Sequence, residues 1–155
     1  WESVDQLLKD GLRELGRRSW QESWQDEKLL EYDPDWARYK RMERDNAMRI
    51  FAARKDKKLV GYAVVIITPE LHDRKVMHAI IQDCYMTPEC GHGLRLLKEA
   101  QRWIEKFGAR EVTIAGRIQV KRGKKKISPG KLYQYLGYRA KEVLWTKVFN
   151  ERVSA

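Results

Sequence analysis

The residues best suited to chemistry gather between positions 83 and 95. Asp83 and Tyr85 alternate with Ile81 along an apolar, β-branched run, which predicts that all three share one face of a strand. That run ends at Met86, and Thr87-Pro88-Glu89-Cys90-Gly91-His92-Gly93 leads directly into a helical pattern. A strand, a glycine loop and a helix in this order offer helix N-terminal amides to a phosphate, or serve as plain turn chemistry. The loop matches neither a P-loop nor a dinucleotide fingerprint, because a third glycine and a Lys-Ser/Thr pair are missing. His72, in a polar stretch between two strand patterns, is a near-neutral base, a substrate contact or an incidental loop residue. Cys84 and Cys90 are the only cysteines, too few for a four-cysteine metal set or a disulfide framework, and no metal is expected. Cys90 has no recognisable His/Asn or His/Asp set to make it a nucleophile.

A second concentration is of charge. The chain carries a net +10, yet residues 1–50 hold 10 basic and 12 acidic side chains, while residues 101–155 hold 14 and 4. Lys121, Arg122, Lys124, Lys125 and Lys126 crowd around Gly123 with no acidic residue among them, so repulsion needs water, salt or an anion to offset it. A solvated loop, a cofactor phosphate and a nucleic-acid backbone all satisfy that need. The run has no interleaved aromatic residue, which argues against stacking on single-stranded nucleic acid.

These groups need elements to hold them. Ser3 with Gln6 forms a capping box ahead of Val4, Leu7, Leu8, Leu12 and Leu15, predicting a helix over 4–16. Residues 19–31 are an irregular mixture around Trp20 and Trp24. Asp33-Pro34 reads as an N-cap and first helical position for a helix reaching Arg44. Strands over 48–54 and 59–68 flank the turn 55–58, and a third over 76–86 completes an antiparallel meander. A long helix over 93–107 stops at Gly108, and a strand over 111–118 follows in parallel to the one before the helix. A short helix over 129–136 and a strand over 142–149 end the chain.

With 43% hydrophobic residues, six tryptophans and seven tyrosines, 155 residues build one core without staples, so a single domain over 1–155 is expected. The longest apolar stretch, 62–68, is one strand long, which leaves no bilayer span or secretory leader and predicts a soluble, cytoplasmic protein with no membrane partner. Monomer and homodimer are both compatible with the sequence.

The element order, with Tyr85-Met86-Thr87-Pro88-Glu89 opening the long helix and Leu132-Tyr133-Gln134-Tyr135-Leu136-Gly137-Tyr138 near the end, resembles the GNAT superfamily of N-acetyltransferases. Pro34-Asp35-Trp36-x-x-Tyr39, Leu59-Val60-Gly61-Tyr62, Pro69-Glu70-Leu71-His72 and Asp83-x-Tyr85 resemble the small GNAT proteins often encoded by bacteriophages, which would place the protein in a host cytoplasm. The resemblance spans residues 20–150. It implies a mixed α/β fold and acetyl-coenzyme A as cosubstrate, held where the strand before the long helix splays from its parallel neighbour. It implies that Tyr85 and Met86 pair with the pantetheine arm, and that Cys90, Gly91, His92, Gly93, Leu94 and Arg95 form the pyrophosphate loop. That loop looks short and lacks the arginine usual in the family's pattern, which is Arg or Gln, two residues, then Gly-x-Gly/Ala.

For the chemistry, the resemblance implies Tyr133 as proton donor to the coenzyme A thiolate, with a packing tyrosine as the alternative. Asp83 would take the amine proton, or else orient substrate or pair with a cation; His72 is the other base. The backbone N–H of Tyr85 or Met86 would polarise the thioester carbonyl, and Trp20 and Glu22 would lid the acceptor site. The expected function is acetyl transfer to a primary amine by direct attack, with an acidic or phosphate-bearing acceptor favoured by the basic last third. The rival is a non-catalytic module gripping nucleic acid or a host protein through residues 121–126.

Overall fold

Ser3 caps the first helix by accepting from Gln6 N at 3.2 Å, but this helix, α1, covers only Val4–Lys9. Gly11, at φ +101°, breaks the expected continuous helix, and α2 runs over Leu12–Ser23, converting part of the irregular stretch into helix. The computed structural model describes residues 1–23, 31–70, 72–114, 120–122, 125–127 and 130–140. Helix α3, Trp36–Arg44, starts later than expected: its cap is Asp35, accepting from Arg38 N at 2.8 Å, rather than Asp33. Both aspartates are competent caps, and only Asp35 sits three residues before an amide it can reach.

Strands β1 (Met48–Lys55) and β2 (Lys58–Pro69) form the expected hairpin, turned by Asp56 and Lys57 at φ 49° and 65°. Positive φ at both central residues gives a turn whose twist matches that of the strands. β3 (Met77–Met86) pairs antiparallel with β2. Helix α4 covers Gly93–Phe107, stopped by Gly108 in the left-handed region at φ 88°. β4 (Glu111–Ile114) then returns parallel to β3, giving a sheet of order β1-β2-β3-β4. A short hairpin, β5 (Val120–Arg122) with β6 (Lys125–Ile127), and helix α5 (Gly130–Tyr135) follow. This hairpin was not expected from the lysine-rich sequence. The strand anticipated over 142–149 lies outside the described residues.

The sheet has a core on each face. Leu96, Leu97, Ala100 and Ile104 of α4 pack on Phe51, Ala63, Val65, Ile67, Ala79 and Ile81. On the other face Val4 and Leu7 of α1 and Leu12 and Leu15 of α2 cover Met48, Ile50, Tyr62, Val64 and Tyr85. Glu2 and Asp10 both grip Arg54 at 2.5 Å, tying the start of the chain to the β1–β2 hairpin. His78 bridges Glu70 at 3.0 Å and Glu111 at 3.2 Å, which pins the first residue of β4 to β3.

One irregularity positions the site. Val64 pairs with Asp83 but Val65 pairs with Ile81, leaving Gln82 as an extra residue in β3. Such a bulge bends the strand and reverses the side-chain alternation beyond it. Ile81 therefore faces α4, whereas Tyr85 faces α1 and α2, and the expectation that Ile81, Asp83 and Tyr85 share a face is corrected.

Candidate active site

β3 pairs with β4 only over His78–Ile81. From the bulge to Met86 it stays paired to β2 on one side and, among the described residues, has no strand on the other. At the end of the edge, Cys90 N donates to Thr87 O at 3.0 Å, Gly91 takes φ 62°, His92 caps α4 without a side-chain bond, and Gly93 is its first residue. A Cβ at Gly93 would collide with Met86 Sδ, so a larger residue there must displace the Met86 side chain. The loop is of ordinary length: Pro88 stands where the Arg or Gln of the GNAT pattern is expected, two residues follow, and Gly91-x-Gly93 completes it. The departure is one side chain, not a deletion.

On the α2 face, the Tyr62 hydroxyl donates to Asp83 Oδ2 at 2.5 Å, and Ser19 also bonds Tyr62. Burial outweighs these bonds and raises the Asp83 carboxyl above its ordinary 3.8. Beside this pair, Tyr85 donates to Glu22 Oε1 at 2.8 Å, and Arg18 Nε donates to the same oxygen at 3.1 Å. Tyr62 and Tyr85 are register partners with ring centroids 6.4 Å apart. Tyr32 is pushed up to about 12 and Tyr39 is also raised, by burial first and the Asp83 charge among the further causes. Asp83 thus stands among phenols that hold their protons.

On the α4 face, Cys84 and Met86 pack beside Leu132, Leu136 and Tyr138. Burial lifts the Cys84 thiol to about 12, so it is neutral and not a nucleophile at physiological pH. The Tyr133 phenol is likewise held at about 12, by burial and then by Cys84 and Tyr138. Its ring lies edge-on to Tyr138 at 6.2 Å, and Tyr138 N donates to Tyr133 O at 3.0 Å as α5 ends.

Asp83 and Tyr85 on one side, and Met86 and the Cys90–Arg95 loop on the other, are therefore brought to one strand end. Cys90 is buried, while His92 and Arg95 are exposed and Leu94 is half-buried. His72 is not brought there. It is exposed in the β2–β3 connection, beyond Met77, and the six residue steps from Met77 to Asp83 span about 20 Å of strand. Tyr62, Ser19, Tyr32 and Tyr39 escaped sequence reasoning as site residues, because the hairpin register that sets Tyr62 beside Asp83 depends on the bulge. In the basic stretch, Lys121 is the register partner of Lys126 and Arg122 that of Lys125; Lys124 lies outside the described residues.

Residues 9–122 match the model of the acetyltransferase (GNAT) family. The chain belongs to the GNAT family. Among solved structures, the GNAT chain is similar to a ribosomal-protein-alanine N-acetyltransferase from Brucella melitensis biovar Abortus 2308, at 17% identity, TM-score 0.60 and coverage of 92% and 95% of the two chains. It is similar to an aminoglycoside acetyltransferase from an uncultured soil metagenomic sample, at 17% identity, TM-score 0.62 and coverage of 97% and 93%. A glucosamine-6-phosphate N-acetyltransferase from Arabidopsis thaliana gives 11% identity, TM-score 0.65 and coverage of 96% and 95%. These likenesses are of fold. No curated protein sequence matches the chain. Among the described residues, no helix is long and apolar enough to cross a membrane.

Proposed function

We propose that this GNAT protein transfers the acetyl group of acetyl-coenzyme A to a primary amine by direct attack. The observation that carries the reading is the end of β3 beyond its described pairing with β4, with Asp83 on its α2 face and Cys84, near Tyr133, on its α4 face. An amine arriving from one face and a thiol leaving toward the other need two proton-handling groups on opposite sides of one strand edge.

Acetyl-coenzyme A supplies the acetyl thioester. The Asp83 carboxylate takes a proton from the attacking nitrogen as the C–N bond forms and the C–S bond breaks. Tyr133 gives its Oη proton to the departing sulfur and regains one from water. The backbone N–H groups of Tyr85 or Met86 receive the carbonyl oxygen, and the amides of the Cys90–Arg95 loop with the start of α4 receive the pyrophosphate. Gly93 fits that role, since it has no side chain to fill the approach between Met86 and the start of α4. Asp83 is preferred to His72 as the base because it lies at the open edge.

A thermal-shift titration with acetyl-coenzyme A and with free coenzyme A tests the reading. Both should raise the melting temperature, and Gly93→Asp, which adds a carboxylate at the start of α4 and presses on Met86, should abolish the rise. No shift at millimolar ligand would overturn it.

A further inference from the structure

Asp83 is the acidic member of an aromatic group assembled from four separate segments. Tyr62 comes from β2 and Tyr85 from β3, with rings 6.4 Å apart and the Tyr62 hydroxyl on Asp83 at 2.5 Å. Tyr39 comes from α3, its ring 5.2 Å from that of Trp36, and Tyr32 from the segment ahead of α3. Tyr39 packs against the buried cluster that includes Tyr62 and Tyr85, and the Tyr32 ring lies 6.3 Å from that of Trp20 on α2. Glu22, the neighbouring carboxylate, is already held by Arg18. Asp83 forms no ion pair among the described residues.

A half-buried carboxylate among tyrosine rings, with no ion pair among the described residues, is a receptor for a cation: the rings attract positive charge through their faces, and the carboxylate neutralises it. Beside this group an aromatic face already holds a cation, for Arg13 lies over the Trp36 ring, 5.7 Å from its centroid, and that ring packs on Tyr39. We propose that Asp83 with Tyr32, Tyr39, Tyr62 and Tyr85 forms an ammonium box that selects a cationic alkyl amine or an unphosphorylated amino-sugar amine as the acceptor and rejects small amines that also carry a phosphate. This rests on the amine-acetylation reading above and assigns the reacting end the opposite preference from that suggested by the basic last third. The amine enters as an ammonium, is held by the rings, and passes one proton through Asp83 to water before attack, which leaves the carboxylate free to take the second proton as the C–N bond forms.

The test uses tetramethylammonium, which carries the charge but cannot be acetylated, titrated into the intact protein by calorimetry at constant ionic strength. Saturable binding is expected. It should be lost in Asp83→Asn, weakened at least tenfold in Tyr39→Leu, and retained in Tyr39→Phe, which keeps the ring; circular dichroism verifies that each variant is folded. In parallel, coenzyme A release is measured with a diaminoalkane, an aminoglycoside and glucosamine 6-phosphate. Preference for the first two supports the box. Absence of tetramethylammonium binding, binding indifferent to these substitutions, or preference for glucosamine 6-phosphate overturns it while leaving amine acetylation intact. Substitution-sensitive binding with no acetylation of any amine retains the box and overturns the enzymatic reading instead.

Discussion

The Tyr62 hydroxyl reaches Asp83 Oδ2 at 2.5 Å although Tyr62 is the register partner of Tyr85, not of Asp83. The diagonal contact joins β2 to the segment of β3 that has left β4, and it sets the protonation of the carboxylate at the open edge. Burial raises Asp83, and the Tyr62 bond opposes that rise. Tyr62→Phe removes only the opposing bond, so the acid limb of the kcat/KM profile should move to higher pH while the thermal shift with acetyl-coenzyme A persists. A profile that stays in place would remove Asp83 from the titration.

Asp83→Asn should lower kcat/KM by about 10²- to 10⁴-fold, the range of a general base. The same change should stabilise the fold at neutral pH, because it removes a buried carboxylate whose folded pKa lies above its unfolded value. With that sign the cost of Asp83 is absent below its ordinary 3.8 and grows as pH rises toward the raised folded value. Denaturant melts across that window should show the variant gaining on the wild type as pH increases.

Much of this arrangement is legible in sequence, and what is not has definite causes. Helix α4 was anticipated over its observed span because Leu96, Leu97, Ala100 and Ile104 recur on one face and Gly108 ends it. The three antiparallel strands followed from β-branched runs divided by polar turns. The bulge at Gln82 has no marker in the sequence, where no glycine or proline stands near it, and counting in twos from Ile81 to Tyr85 misses the extra residue and with it the true facing of Ile81. Gly11 interrupts a helical pattern that reads as continuous, and Asp33 and Asp35 offer equivalent caps until the backbone chooses. The β5–β6 hairpin hides in lysines, which are poor strand formers. Asp83, Tyr85 and the glycine loop were legible as candidates; the tyrosines around Asp83 were not, because they come from segments far apart in the chain.

Tyr133→Phe keeps the ring that packs at 6.2 Å on Tyr138 and removes only the proton. We expect kcat to fall by about 10²-fold, as for loss of a general acid, with KM for acetyl-coenzyme A little changed. Since the phenol is held at about 12, Tyr133 should contribute no descending limb to the wild-type profile below about pH 10. Steady-state kinetics over pH 6 to 10 decide both points.

Gly91 and Gly93 should respond differently to a side chain. A Cβ at Gly91 meets open space but must adopt φ 62°, so Gly91→Ala should cost about 1–2 kcal/mol of stability, with KM nearly unchanged. Gly93→Val drives Met86 off the strand end and should raise KM for acetyl-coenzyme A by about tenfold, or about 1.4 kcal/mol. Equal effects on KM would argue against a ligand at the β3–α4 junction.

The central claim is acetyl transfer at the open end of β3. Its most direct test is mass-spectrometric detection of the acetylated amine, with matching free-thiol release from acetyl-coenzyme A, for wild type, Asp83→Asn and Tyr133→Phe against a diaminoalkane acceptor. The account predicts a product heavier by one acetyl group, formed in step with thiol and slowed about 10²-fold or more in each variant. Product formation at the wild-type rate in both variants, or thiol release without an acetylated amine, would contradict it.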